Sequence, residues 1–136
     1  MFIEKTSTAP SPLSFTFPAA WTYAGPTPSA LPTFNFVYTG FSAKSGVFVA
    51  ATILWNGSFG YNLFQVSATA NYQNGSTSLA FPDLSSLTGF PPAVASGTQV
   101  QWSAAIAQSS SGPEQTLPAN GGTLTAVENN GTYMVP

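Results

Sequence analysis

The chain is 136 residues long, 43% hydrophobic and 14% aromatic, yet only 4% charged, against roughly 25% in an ordinary globular protein. That length and apolar content suit one domain with a real core rather than a disordered chain. Lys5 and Lys44 are the only cations, since arginine and histidine are absent, so the basic footprint that phosphate binding needs is missing and nucleic acid is excluded as a partner.

With no Cys and no His, Ser–His and Cys–His nucleophiles and transition-metal sites lack their usual groups. The carboxylates are Glu4, Asp83, Glu114 and Glu128. All lie outside the clear strands, where solubilising side chains are expected, so neither paired-acid glycoside hydrolysis nor a calcium site is favoured. The reading is a non-enzyme without metal or cofactor. The longest apolar run, 47–55, is broken by Thr52 and falls well short of the about 20 residues of a membrane helix. A surface wetted by Ser, Thr, Asn and Gln instead of charge points to an extracellular or cell-surface setting. The N-terminus MFIEKTSTAP has no apolar signal core, so an exported protein is expected to have lost its leader.

Residues 1–12, with Pro10 and Pro12, read as an extended N-terminal segment, and 13–136 as a single domain. Leu13, Phe15 and Phe17 alternate with polar residues as a half-buried strand would. Pro18, Pro26, Pro28 and Pro32 then predict a long loop anchored by Trp21 and Tyr23. Phe34, Phe36 and Tyr38 form a second alternating strand, ended by Gly40.

The stretch 47–81 predicts a three-stranded meander. Asn56-Gly57 and Asn74-Gly75 carry the strongest two-residue hairpin signal, because a type I′ turn needs positive φ at both central positions. The first turn would set Val49 opposite Phe64, although a looser loop over 56–60 fits as well. The second would set Ala70 opposite Leu79 and Ala68 opposite Phe81, with Asn71 and Ser78 on the other face. A long connection follows, with one helical turn near 84–87. Val100, Trp102, Ala104 and Ile106 alternate as a clear strand, 108–122 reads as loop, and Leu124 and Ala126 begin another strand. Asn130-Gly131 is a further turn candidate before a short last strand at 132–135. Seven or eight short strands without helices predict an all-β fold, an antiparallel β-sandwich.

Ser96-Gly97-Thr98-Gln99-Val100-Gln101-Trp102-Ser103-Ala104 resembles the late strand of bacterial immunoglobulin-like and fibronectin type III-like modules, where a small-Gly-Thr turn leads into an alternating strand ending in Ala. Leu79-x-Phe81 and Leu84 are similar to their penultimate strand and following leucine. The resemblance covers about a quarter of the chain; Val100 stands where an aromatic is usual, and the insertion between Leu84 and Ser96 is long. It implies an immunoglobulin-like sandwich serving as spacer, adhesive unit or binding platform, with no catalytic residues.

Trp21, Tyr23, Phe59, Tyr61 and Phe90 fall in or beside loops. Aromatic rings on a charge-free surface rich in amides are how a carbohydrate-binding face is made; the alternative is that they plug the ends of the sandwich. Asn56-Gly-Ser, Asn74-Gly-Ser and Asn130-Gly-Thr match glycosylation acceptors, although turn geometry accounts for all three, and Lys44 reads as a solvated loop lysine. Two functions remain. One is a non-catalytic structural, adhesive or carbohydrate-binding module of an exported protein, whose partners are other domains of that protein. The other is a subunit that assembles with identical copies into a filament or virion surface, by donating its N-terminal strand or pairing sheet edges.

Overall fold

The structure is a computed structural model that describes residues 2–4, 21–36, 46–58, 60–74, 76–90, 92–109 and 123–136. In chain order the elements are β1 (Phe2–Glu4), β2 (Thr33–Asn35), β3 (Val47–Gly57), β4 (Gly60–Thr69), the helical turn α1 (Ala70–Gln73), β5 (Ser78–Ala80), β6 (Gln99–Ser109) and β7 (Thr123–Met134). They form two antiparallel sheets, a five-stranded one in the order β1-β7-β6-β3-β4 and a two-stranded ribbon of β2 and β5. The fold is mostly β, as the alternation predicts. The expected strand at 13–17, together with Lys5, Tyr38, Lys44 and Glu114, lies outside the described residues.

Period-2 alternation decides which side of the large sheet is inside. Val47, Val49, Ala51, Ile53 and Trp55 of β3 and Val100, Trp102, Ala104 and Ile106 of β6 are all buried. Pairing lines them up in rows across four strands. Phe64, Ile53, Trp102 and Gly131 form one row, and Val66, Ala51, Ala104 and Asn129 the next. Large and small side chains thus share each row, which lets the side chains of a second layer interdigitate with them.

That layer is aromatic. Phe34 and Leu79 face each other across the ribbon, which is lengthened by Phe36 N–H donating to the Thr77 carbonyl at 2.6 Å and Phe81 N–H to that of Pro32 at 3.3 Å. Trp21 stacks on Tyr23 at 5.1 Å and on Phe36 at 5.8 Å. Tyr23 and Phe34 meet the Trp102 ring edge-on, at 5.5 and 6.1 Å, the geometry that the ring quadrupole favours.

Three turns depart from expectation. The hairpin at Asn74-Gly75 does not form. β4 stops at Thr69, whose Oγ1 accepts the Tyr72 N–H at 3.2 Å and so caps a helical turn. Asn74 does take positive φ, at 46°, but there it ends that turn as a left-handed cap. The chain then crosses to the other layer, so Leu79 lies opposite Phe34 instead of Ala70.

The β3–β4 hairpin does form, but its last pair is Gly57 with Gly60, and Gly60 takes φ 118°. Val49 therefore opposes Ala68, not Phe64. The slip is an even number of residues, so every side chain keeps its expected face. At Asn130-Gly131 there is no turn at all, because β7 continues to Met134.

Candidate functional site

The turn end of the β3–β4 hairpin lies beside the connection from β5 to β6. That connection is fastened at several points. Asp83 Oδ1 accepts the Ser85 N–H at 3.0 Å, and hydrogen bonds from the Ser85 side chain and backbone hold this carboxyl below its ordinary range. Leu87 N–H donates to the Leu84 carbonyl at 2.9 Å and Phe90 N–H to that of Leu87 at 3.3 Å. The first bond closes a tight turn over 84–87, where the sequence suggests a helical one. Gly89 is the third residue of the second turn, with φ 91°, which a β-branched residue resists.

Past Phe90 the chain is pinned again. Val94 is buried, Thr98 N–H donates to the Ala95 carbonyl at 3.2 Å, and Gly97 N–H to that of Val135 at 2.8 Å. Between these anchors Phe90 stands 50% exposed, above a Trp55 that is only 7% exposed.

Two hollows flank Phe90. One, about 270 Å³, runs beneath the connection between Leu31, Ile53, Phe64, Leu84 and Val94, with Asp83 and Ser85 at its rim. The other, about 560 Å³, lies over the hairpin end and is edged by Asn56, Ser58, Asn62 and Thr98. Trp55, Gly89, Phe90, Pro92 and Ala93 belong to both. The Asn62 amide packs so closely on Gly57 that a Cβ there would clash with it.

The result is a bipartite cleft with an aromatic and aliphatic floor, neutral amide and hydroxyl edges, and one carboxylate at the side. Glu128 lies elsewhere, exposed on β7. Among the described residues no three His, Cys, Asp or Glu side chains come together as a metal site. No helix among them is long and apolar enough to cross a membrane. The arrangement can stack and hydrogen-bond a neutral ligand.

The aromatics singled out in the sequence do not share one place. Trp21 and Tyr23 sit together, half-buried, against the core. The Tyr23 hydroxyl accepts the Asn35 N–H at 3.3 Å, and burial raises its pKa against the lowering effect of that bond. Tyr61 is 74% exposed on β4, on the face turned away from the core. Phe90 alone reaches the cleft described above, and Phe59 lies outside the described residues. The sequence reading passed over Trp55, Asn56, Asn62 and Thr98. The available signal was Trp55 directly before Asn56-Gly57, which puts an indole at the extreme end of a buried strand. No protein-family model, curated protein or solved structure matches this chain.

Proposed function

We propose that the chain is a non-catalytic, immunoglobulin-like sandwich module of seven to eight strands, belonging to an exported or cell-surface protein, and that it binds carbohydrate. The observation that carries this reading is Phe90 held half-exposed beside Trp55, with Asn56, Ser58, Asn62 and Thr98 along the adjoining edge. A sugar ring offers one apolar face to an aromatic side chain and a fringe of hydroxyls to amides. A chain with 4% charged residues has little else with which to select a ligand, and a neutral one suits it.

The test is titration of neutral oligosaccharides into the protein, followed by calorimetry and by saturation-transfer NMR. Binding is expected, and Phe90→Ala should weaken it at least about tenfold, or 1.4 kcal/mol, with an unchanged circular dichroism spectrum. A panel of neutral glycans that fails to bind, or binding that Phe90→Ala leaves intact, overturns the reading.

A further inference from the structure

We propose that the protein self-associates through the outer edge of β4, pairing antiparallel with β4 of a second copy about a two-fold axis. This goes beyond the carbohydrate reading and does not depend on it. β4 is the last strand of the five-stranded sheet, and no described residue pairs with its outer edge. Such an edge presents a row of unpaired N–H and C=O groups to any extended chain.

Natural sheets blunt a long edge with charge, proline, a bulge or a short strand. β4 has none of these. It is 10 residues long, where about 5–6 is usual. It contains no Lys, Arg, Asp, Glu or Pro, and its register against β3 runs unbroken from Phe48↔Thr69 to Gly57↔Gly60. By contrast, β7 carries Glu128 exposed on its outward face.

Burial along the rows points the same way. Val49, Ala51 and Ile53 on β3 are 0% exposed, while their β4 partners Ala68, Val66 and Phe64 are only half-buried. Among the described residues no strand lies beyond them on the outer side, and one more strand would complete their burial. On the opposite face Tyr61 and Leu63 remain 74% and 63% exposed.

A second copy fits this edge better than a foreign peptide. The edge has no charge to select a charged partner, and identical uncharged strands do not repel one another. In a two-fold pair centred on a residue, opposed positions share parity, so like faces meet. With the axis at Gln65, Phe64 of one copy lies opposite Val66 of the other, and the two cores become continuous.

The chain contains no cysteine, which permits a direct test with Gln65→Cys, Ser67→Cys and, as control, Thr132→Cys on the far side of the sheet. All three positions are solvent-exposed, so the fold should survive, as circular dichroism will verify. Sedimentation equilibrium of the unaltered protein should show a mass rising from 14.1 kDa towards twice that value between micromolar and millimolar concentration. Mild oxidation should cross-link Gln65→Cys, which faces its own copy across the axis, at least about tenfold faster than Thr132→Cys, whereas Ser67→Cys, which this register sets opposite Leu63 of the other copy, should lag behind Gln65→Cys. Gln65→Lys should weaken association at least about tenfold, while Phe90→Ala leaves it unchanged. A strict monomer at millimolar concentration overturns the proposal. So does association that Gln65→Lys leaves intact, cross-linking no faster at Gln65 than at Thr132, or a monomer that captures added uncharged peptides instead of itself.

Discussion

Gly131 lies directly opposite Trp102 on the neighbouring strand, and the indole fills the space that a side chain at 131 would take. A Cβ built there would stand 2.8 Å from Trp102 Cζ2, and one built on Gly25 would stand 2.9 Å from the same atom. The ring is thus clasped between two glycines, one in β7 and one in the loop before β2. This is why Asn130-Gly131 continues a strand instead of turning: the glycine serves the core.

Gly131→Ala should therefore destabilise the protein by about 1–3 kcal/mol through overpacking. Gly97→Ala meets open space but must adopt φ 76°, costing roughly 1–2 kcal/mol of backbone strain. Urea unfolding distinguishes the two mechanisms when each is combined with Trp102→Phe. The smaller ring should relieve the Gly131→Ala cost and leave that of Gly97→Ala unchanged.

Thr69→Ala should cost about 1 kcal/mol, because it removes the acceptor for the Tyr72 N–H. Thr69→Ser should retain most of the stability, since Ser caps as well as Thr. Chemical denaturation of both variants checks this, and equal losses would show that the hydroxyl is not what holds the turn.

Alkaline pH should destabilise the protein through Tyr133, with Tyr23, whose pKa burial also raises, acting in the same direction. Its hydroxyl donates to the Ser29 carbonyl at 3.0 Å, and burial pushes its pKa up to about 12 from 10.0. The unfolded chain loses this proton first, so stability is full below about pH 10 and declines as pH rises towards 12. Asp83 acts with the opposite sign. Its carboxyl is held low by Ser85, so its contribution is present at neutral pH and is lost on acidification. With no histidine in the chain, thermal melts should be nearly flat from about pH 5 to 9. A transition inside that window would contradict this account, and Tyr133→Phe should remove much of the alkaline slope.

Trp21→Phe should stay within about 1 kcal/mol of the unaltered protein despite the smaller ring, because it also deletes an indole N–H that is buried without an acceptor among the described residues. Tyr23→Phe should cost about 1 kcal/mol, since it leaves the Asn35 N–H without its hydroxyl partner. Paired urea titrations would reverse this ranking if the Trp21 N–H were satisfied.

Local periodicity made much of the large sheet legible. The inward faces of β3 and β6 follow from alternation alone, and the hairpin slip at Gly57–Gly60 preserved them because only even slips keep Val49 and Ile53 inside. The Asn-Gly pairs were poorer guides. The same dipeptide precedes a hairpin closure at 56–57, enters a helical cap at 74 and sits mid-strand at 130–131, because what decides between them lies outside the dipeptide. Thr69, Trp102 and the β2 strand that receives β5 are such deciding contacts. The cleft was half legible for a similar reason. Phe90 stood out among loop residues, whereas Trp55 resembled any core aromatic until the connection over it was placed.

The pairing of β1 with β7 has a mechanical side. Phe2 lies beside Thr125, whereas Val135 follows the far end of the same strand, roughly 30 Å away at about 3.3 Å per residue. Tension between those two points acts along β7. The pairs joining β7 to β6, from Gln99↔Met134 to Ser109↔Leu124, resist it together in shear, while only Phe2, Ile3 and Glu4 hold β1 in place. Under load the first extension comes from release of β1, with the sheet behind it still intact.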